Sequence, residues 1–466
     1  MSILRLPQPI GRQKEVLCLP PIGHHVVLGT AGSGKTTLAI HRAFFLANRT
    51  TDHCGKTLLV TFSKCLVAYL ESLAGSHNFD VEVRNYHLFA RGYLNSRGKM
   101  SRNCICGPED SKFLCEQVLA KAKESDDNPL LNQPSELFLD EFNWIAKHGI
   151  RHLNTYAQCE RVGRSAFRVR RAERQLVFSL YSDYLLAREA MGKTYDWDDL
   201  GISVLETMRT DQTPRMYKHI VIDEGQDLSP TEITSLAASI PSEGSLTFFG
   251  DIAQQIYGRR MSWRSAGLNI PSVWNFEENY RNTRQIAELA LALTEMPYFQ
   301  ADTDLVTPKS PTADGPKPSL VTISDVESEN QYVAKIAERL SQSGTVGVFF
   351  RDRAQETDFV NALSCNAVRL HRDLNVWPTG NGIFYGTYHS AKGLEFDSVI
   401  LPHLSHTNFP YPPDVEIYGH EDVSAGDSRL LYVGITRAKV NLVLTYTGTL
   451  TDLLPKQSAL YTRSQR

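Results

Sequence analysis

The chain has 466 residues, of which 42% are hydrophobic and 22% are charged. These values exclude collagen-like, disordered and disulfide-scaffold proteins, and the length predicts roughly two to four globular domains. The 49 basic and 52 acidic residues give a net charge of −3, so a polyanionic partner would have to bind local basic patches.

The sequence offers no membrane or export signal. No apolar run approaches the ~18 residues that a membrane helix needs, and the N-terminal segment MSILRLPQPIGRQKE has too short an apolar core for a signal peptide. We therefore expect a cytoplasmic protein with no membrane partner. Its eight scattered cysteines are expected to be reduced thiols.

A phosphate cradle is predicted near the N-terminus. The segment HVVLGTAGSGKTTLAIHR begins as an apolar strand, passes through a glycine-rich turn and continues as a helical pattern. It satisfies the P-loop pattern, in which backbone N–H groups converge on phosphate oxygens. The predicted cradle comprises Gly29, Thr30, Ala31, Gly32, Ser33, Gly34, Lys35 and Thr36. Lys35 is expected at the β- and γ-phosphates and the Thr36 hydroxyl at Mg²⁺. Upstream, the Gln13 amide would matter only if an adenine lies beside this loop.

Strands alternate with helices in the first part of the chain. The apolar runs HVVLG, KTLLVTF, HIVIDE and SLTFFGD are typical of buried parallel strands, so the fold class is α/β with a parallel sheet. Phe62 follows one strand, and Tyr86 and His87 follow another. Open α/β sheets bind ligands at these strand ends.

Between residues 90 and 195 the pattern becomes helical, which predicts an inserted subdomain. Six arginines against one acid lie between Arg161 and Arg174. On a continuous helix, Arg161, Arg164, Arg168, Arg171 and Gln175 would share one face. Such a stripe favours contact with a phosphate backbone, and the alternative is an ordinary solvated surface.

Two later strands end in polar residues suited to a nucleotide site. Asp223 and Glu224 end HIVIDE, where Asp223 would hold Mg²⁺ and Glu224 would orient or activate the attacking water. The alternative is an acidic pair satisfied by the protein itself. Gln254 could sense the γ-phosphate, while Tyr257 and Trp263 could be core residues or platforms for bases.

A second α/β pattern follows a Pro- and Gly-rich connector at residues 301–318 and has no P-loop. We expect this half to face the first and to contribute charges to its nucleotide. Arg281 and Arg437 are the candidates, since arginines neutralise charge on a transferring phosphoryl group.

Read together, the motifs resemble one family. GTAGSGKT, TFSK, YH, VIDEGQD, GDIAQQIY, ENYRNT, GTYHSAKGLEFD and RLLYVGITRA resemble, in order, motifs I, Ia, Ib, II, III, IV, V and VI of the UvrD, Rep and PcrA group of superfamily 1A DNA helicases. Gln13 resembles the family's Q motif. The resemblance implies two RecA-like P-loop NTPase domains with a helical 1B-like insertion in the first. It also implies ATP and Mg²⁺ in the cleft between the domains, single-stranded DNA across both, and movement from 3′ to 5′.

The same resemblance assigns roles to individual residues. Tyr280 would stack on adenine, Glu395 would contact the ribose, and Arg281 and Arg437 would be arginine fingers. The positions that would touch the DNA strand are Phe62, His87, Tyr257, Trp263 and His389, and Tyr86 beside His87 is a further candidate for contact with DNA.

Three departures from the family are visible. Thr37 stands where relatives commonly have an arginine that helps to hold adenine, and GRRMS lengthens the spacing between Tyr257 and Trp263. The segment between Leu363 and Ile383 is too short for the 2B subdomain that relatives insert before motif V.

These observations define the predicted organisation. Residues 1–89 and 196–275 form the first RecA-like domain, 90–195 the insertion, 276–450 the second domain and 451–466 a short tail.

The predicted function is that of a DNA-stimulated ATPase. It would move 3′ to 5′ on single-stranded DNA or 3′-tailed duplex, in DNA repair or phage defence. The short form resembles the helicase-like partner of Gabija-type antiphage systems, which works with a separate nuclease. The alternative is a DNA-sensing ATPase switch that regulates a partner nuclease without productive unwinding. The intact set of Glu224, Gln254, Arg281 and Arg437 favours turnover.

Overall fold

The computed structural model describes residues 8–30, 32–61, 67, 80–161, 167–251, 263, 266–276, 282–299, 313–371, 374, 377, 378 and 380–466. Within them, two parallel β-sheets are covered by helices, which confirms the predicted α/β class. None of the helices in these residues combines the length and the apolar character needed to cross a bilayer.

The N-terminal part alternates strands with helices as the apolar runs predict. Its elements are α1 (Gln13–Leu17), β1 (Gly23–Gly29), α2 (Lys35–Leu46), β2 (Thr57–Thr61), β3 (Val81–Asn85) and α3 (Tyr86–Ser96). The last four residues of β1 and all five of β2 are buried, as expected for strands covered on both faces.

A helical subdomain follows, which confirms the predicted insertion. Its helices are α4 (Pro108–Lys123), α5 (Ser135–Lys147), α6 (Leu153–Gln158) and α7 (Arg174–Ala190). They bury a core of their own, in which Phe138, Phe142 and Tyr184 are among the largest side chains. A separate core allows this segment to fold as a unit beside the sheet.

The prediction of a continuous arginine helix from residue 161 to 175 is wrong. Residues 167–170 are not helical, and α7 begins only at Arg174. Arg161 donates to both carboxylate oxygens of the buried Glu141 at 2.6 Å. Arg174 donates to three backbone carbonyls, those of Tyr156, Ala157 and Cys159. Both arginines therefore hold the insertion together and are not available to a phosphate backbone.

Other members of the predicted stripe remain on the surface. Arg168 and Arg171 are exposed, whereas Phe167 and Val169, on either side of Arg168, are buried. The buried neighbours fix this extended segment, so the two guanidinium groups project from a defined piece of backbone. Arg164 lies outside the described residues.

We predict that Arg161→Ala destabilises the protein by about 3–5 kcal/mol, because the buried Glu141 would lose the guanidinium that donates to both of its carboxylate oxygens. Arg168→Ala is the matched control, and we expect it to change the free energy of unfolding by less than about 0.5 kcal/mol. Urea unfolding followed by circular dichroism measures both. Equal effects of the two substitutions would contradict the structural role of Arg161.

The chain then completes the first sheet. The elements are α8 (Leu200–Met208), β4 (His219–Ile222), α9 (Pro230–Ala237), β5 (Ser245–Gly250) and β6 (Val273–Phe276). The strand order in this sheet is β3-β2-β4-β5-β1-β6, and all pairings are parallel. Because β4, β5 and β1 are neighbours, their carboxyl ends and the residues that follow them meet at one edge.

The second half forms another parallel sheet. Its elements are α10 (Arg284–Thr294), β7 (Ser319–Ile323), α11 (Val326–Ser341), β8 (Thr345–Phe350), α12 (Arg353–Ala362), β9 (Ala367–Arg369), β10 (Gly382–Thr387), β11 (Phe396–Leu401), α13 (Pro412–Tyr418), α14 (His420–Thr436), β12 (Ala438–Thr447) and β13 (Thr462–Gln465). The strand order is β13-β7-β12-β11-β8-β10-β9. This sheet is the second α/β domain that the sequence predicts.

The C-terminal segment differs from its prediction as a short tail. Residues 462–465 form β13, which pairs in parallel with β7 at the edge of the second sheet. Leu453, Leu454 and Tyr461 are buried and anchor the segment. All four residues of β13 are exposed and polar, so the strand carries no apolar signal in the sequence.

Apolar packing joins the two halves. One cluster of buried side chains includes Val27 from the first sheet and Leu444 from the second. Ile417 and Tyr418 of α13 pack against the core of the helical insertion. The second half thus contacts both parts of the first, and the seam between the sheets lies beside the carboxyl ends of β1, β4 and β5.

Candidate nucleotide site

The predicted phosphate cradle lies between β1 and α2. Gly32 and Gly34 have φ angles of 82° and 81°, a backbone conformation that favours glycine. A Cβ on Gly29 would approach the Ser33 hydroxyl to 2.5 Å, so a larger residue here would force Ser33 to move. The hydroxyls of Thr30 and Ser33 are buried and have no hydrogen-bond partner among the described residues. Unpartnered buried hydroxyls in a glycine-rich loop at a helix N-terminus fit an anionic ligand.

Lys35 lies across this cradle. Its ammonium group donates to the carbonyl oxygens of Gly29 at 2.8 Å and Thr30 at 2.7 Å, and it is 3.5 Å from Asp251 Oδ2. Asp251 directly follows β5, which pairs with β1. These three groups hold the lysine at the edge of the sheet. A phosphate oxygen could replace them as the acceptor for its ammonium group.

An acidic pair ends the neighbouring strand β4. Asp223 is 1% exposed, and neither of its carboxylate oxygens has a hydrogen-bond partner among the described residues. Burial, followed by the charge of Glu224, raises the pKa of Asp223. An unpartnered buried carboxylate is unfavourable unless a cation lies beside it. The residues present fit Mg²⁺, because Asp223 and the Thr36 hydroxyl supply the oxygen ligands that this ion prefers.

Glu224 has a left-handed backbone, with a φ of 51°. This conformation is uncommon for a residue with a side chain and is often found at functional sites. Gln226 Nε2 donates to Glu224 Oε2 at 2.5 Å, and Gln226 Oε1 accepts from the Asp251 N–H at 2.9 Å. Gln226 lies within the VIDEGQD motif but was given no role from the sequence, although it connects the acidic pair to the end of β5.

Two more charged residues at the seam were not predicted. Asp227 and Lys392 form a buried ion pair that joins the first half to the second. Burial raises the pKa of Asp227 to about 6, although the positive charges of Lys392 and Arg437 oppose this rise. Asp227 and Lys392 are 165 residues apart in the sequence, so no local pattern predicts that they pair.

The second half brings Arg437 to the seam. Arg437 is completely buried, and its guanidinium donates to the carbonyls of Val433 at 3.1 Å and Leu394 at 3.3 Å. Its charge lowers the pKa of Asp227, so it lies within electrostatic reach of the turn that follows Glu224. Arg437 therefore interacts electrostatically with the acidic turn of the first half, and its role as an arginine finger stays a prediction.

The residues predicted on the base side of the nucleotide lie in several environments. Gln13 Nε2 donates to the Ser33 carbonyl at 3.0 Å, which places the amide against the cradle. Glu395 is half-buried, with Oε2 3.6 Å from Lys439 Nζ. Thr37 is half-buried on α2. Four predicted nucleotide-site residues lie outside the described residues: Ala31, Gln254, Tyr280 and Arg281.

The predicted DNA-contact residues fall into different environments. His87 is half-buried, 3.7 Å from Glu232 and in ring contact with Trp197, while His389 is exposed. Trp263 is half-buried and packs edge-on against Phe248. Phe62 and Tyr257 lie outside the described residues.

The prediction that Tyr86 contacts DNA is corrected. Its ring is 1% exposed, and its hydroxyl is 2.6 Å from the Ser235 hydroxyl within the core. A ring enclosed on both faces offers no surface for stacking a base, so Tyr86 is a core residue of α3.

Taken together, the fold and the site define a P-loop nucleoside triphosphatase with two parallel-sheet domains. Residues 11–280 match the UvrD/REP helicase N-terminal domain, and residues 375–449 match the UvrD-like helicase C-terminal domain. Because the first match spans more than half of the chain, the protein belongs to the UvrD-like family of ATP-dependent DNA helicases. This confirms the family predicted from the motifs, and the two sheets are its two RecA-like domains.

Individual relatives agree with this assignment. The ATP-dependent DNA helicase UvrD2 of Mycobacterium tuberculosis is 24% identical over 93% of this chain and 78% of its own length. A probable DNA helicase of Mycoplasma pneumoniae is 23% identical over 91% of this chain and 80% of its own length. A solved C-terminal domain of a possible DNA helicase from Lactobacillus plantarum is 24% identical over 40% of this chain and 98% of its own, and its TM-score of 0.29 adds nothing to the fold assignment.

Proposed function

We propose that this protein hydrolyses ATP at the seam between its two sheets and uses the energy to move 3′ to 5′ along single-stranded DNA, unwinding duplex ahead of it. The observation that carries the proposal is the buried carboxylate of Asp223 beside the glycine-rich cradle, whose oxygens have no hydrogen-bond partner among the described residues. A buried acid whose oxygens make no geometric hydrogen bond to the described part of the chain favours a metal–nucleotide complex over a purely structural role. The family assignment supports the same chemistry.

In this proposal the first domain binds and cleaves the triphosphate. Lys35 leaves the Gly29 and Thr30 carbonyls and Asp251 to neutralise the β- and γ-phosphates. Thr36 and Asp223 would hold Mg²⁺, and the ion would neutralise the charge that develops on the phosphate oxygens. Glu224 orients the attacking water and accepts its proton.

The remaining nucleotide contacts come from both halves. Arg437, with Arg281, would stabilise the charge on the transferring phosphoryl group, and Gln254 would report its loss. Tyr280 would stack on adenine, Glu395 would bind the ribose and Gln13 the base edge. The position of Arg437 near the turn after Glu224 supports its part of this proposal.

We propose that the single strand crosses both domains on the carboxyl-end side of the sheets. His87 and Trp263 in the first domain and the exposed His389 in the second are candidates for contacts to the strand, together with Phe62 and Tyr257. The exposed Arg168 and Arg171 of the insertion would bind phosphates. Closure of the cleft on ATP and its opening after hydrolysis would then advance the strand.

We predict that the double substitution Arg168→Ala, Arg171→Ala weakens DNA binding and flattens its salt dependence. Each lost phosphate contact should reduce the slope of log K against log salt by about 1. Fluorescence anisotropy with a labelled single strand at several salt concentrations measures the slope. Arg339→Ala, at an exposed arginine of the second domain, is the control. An unchanged slope would make Arg168 and Arg171 ordinary surface residues.

The proposed function is tested in two steps. The ATPase rate is measured with and without single-stranded DNA, and strand displacement is then measured on duplexes with a 3′ or a 5′ tail. We expect DNA to stimulate hydrolysis and only the 3′-tailed duplex to be unwound. Stimulated hydrolysis without displacement or movement would instead support the DNA-sensing switch that regulates a partner nuclease.

For the cellular role, we propose DNA repair or phage defence, the latter with a separate nuclease subunit. Relatives carry a further, regulatory subdomain where this chain has only the short segment between Leu363 and Ile383. This difference supports a separate nuclease subunit that takes over the regulation. A deletion strain distinguishes the two roles. Sensitivity to DNA damage would indicate repair, and sensitivity to phage infection would indicate defence.

A further inference from the structure

The ion pair between Asp227 and Lys392 crosses the seam between the two domains. Asp227 Oδ1 accepts from Lys392 Nζ, and the two side chains are only 1% and 6% exposed. At such burial the attraction between the charges is weakly screened. The two segments that carry them are therefore expected to move together.

On the first-domain side, the pair is attached to the proposed catalytic base. Gly225–Asp227 form a single 3-10 turn that begins directly after Glu224. Gln226 within the turn donates to Glu224 and accepts from the Asp251 N–H. A Cβ on Gly225 would meet the Phe248 ring at 2.2 Å, so the turn is tightly packed. A displacement of Asp227 would therefore displace the Glu224 carboxylate.

On the second-domain side, the pair is attached to a proposed DNA contact. Lys392 directly follows the 3-10 turn Tyr388–Ala391, which contains the exposed His389. Tyr388 is buried, and its ring leaves no room for a Cβ on Gly434 of α14. This turn is therefore also tightly packed, and a displacement of His389 would displace Lys392.

From this arrangement we infer that Lys392 is a positioning residue that acts through Asp227: it holds the Glu224 turn in its hydrolytic position when DNA engages the turn around His389. The inference rests on the proposed function, since it assigns to the pair the coupling between DNA binding and ATP hydrolysis. Displacing a catalytic group by about 1 Å can lower a rate on the order of 100-fold, so a modest movement of the turn is sufficient.

The test uses the full chain with Lys392→Met, which keeps the length of the side chain but removes its charge. We expect the kcat of ATP hydrolysis in saturating oligo(dT) to fall by about 10–100-fold, while the KM for ATP and the affinity for oligo(dT) stay close to those of the wild type. Lys392→Arg should restore much of the stimulated rate. Lys335→Met, at an exposed lysine of the same domain, is the matched control.

A double-substitution cycle separates positioning from simple loss of fold. Asp227→Asn should lower the stimulated kcat as Lys392→Met does, and the combined variant should be no slower than either single variant. The combined variant buries no unpaired charge, so it remains informative if a single variant is unstable. Additive losses in the cycle, or a Lys392→Met enzyme stimulated by oligo(dT) as strongly as the wild type, would overturn the inference. A wild-type enzyme without any stimulation by oligo(dT) would instead refute the proposed function.

Discussion

Glu224→Gln is expected to abolish ATP hydrolysis and leave ATP binding intact. The amide keeps the size of the side chain and can still contact Gln226, but it cannot accept a proton from the attacking water. Loss of a general base typically costs about 10²–10⁴ in rate. The measurement is the single-turnover rate of ATP hydrolysis, together with the Kd of a fluorescent ATP analogue.

The matched control for this variant is Glu243→Gln, at an exposed glutamate just before β5. It removes the same charge from the same domain, far enough from the cradle to leave the rate unchanged. Persistent turnover in Glu224→Gln would contradict the assignment of Glu224 as the base. Loss of nucleotide binding together with hydrolysis would assign Glu224 to binding instead.

Arg437→Lys is expected to lower kcat by about 10³–10⁵, the range that arginine fingers contribute to phosphoryl transfer. Lysine keeps the positive charge but lacks the planar fork that contacts a phosphoryl group at two points. Arg437 is buried and donates to the Val433 and Leu394 carbonyls, so lysine is a safer replacement than alanine.

The measurements for this variant are kcat, the Kd for the ATP analogue and the thermal midpoint. Arg339→Lys is the control at an exposed position. We expect kcat to fall while nucleotide affinity and the thermal midpoint change little. A near-normal kcat would remove Arg437 from the mechanism, and a collapse of the thermal midpoint would show that its contacts with backbone carbonyls are its main role.

The parts of the fold that were predictable are those with local signals. Four apolar runs in the first half became strands β1, β2, β4 and β5, because continuous apolar segments are required in a sheet covered on both faces. Gly29, Lys35 and Asp223 could be placed at one edge because the carboxyl ends of parallel strands converge. The helical pattern from residue 90 to 195 is also a local signal, and it predicted the helices of the insertion.

The parts that were not predictable depend on contacts distant in sequence. Arg161 has helical spacing from the neighbouring arginines, but its guanidinium donates to Glu141. The pattern of the arginine stripe does not predict this partner. Lys392 and Asp227 lie in different domains. Tyr86 follows a strand end, as a ligand contact would, yet its ring packs into the core. In each case tertiary packing overrides a local pattern.

Polar contacts within the first domain connect the cradle lysine to the proposed catalytic base. Lys35 contacts Asp251, whose N–H donates to Gln226, and Gln226 in turn donates to Glu224. A lysine drawn away by a phosphate would therefore change the surroundings of the base through two intermediate residues. This connection lies within the first domain, whereas Lys392 reaches the same turn from the second.

Directional movement powered by the nucleotide is measured most directly by displacement of streptavidin from biotinylated single strands. With ATP, we expect streptavidin to be released rapidly from the 5′ end and not from the 3′ end, and we expect no release with a non-hydrolysable analogue or with Glu224→Gln. Equal release from both ends, or none from either despite DNA-stimulated hydrolysis, would contradict the account of this protein as a motor.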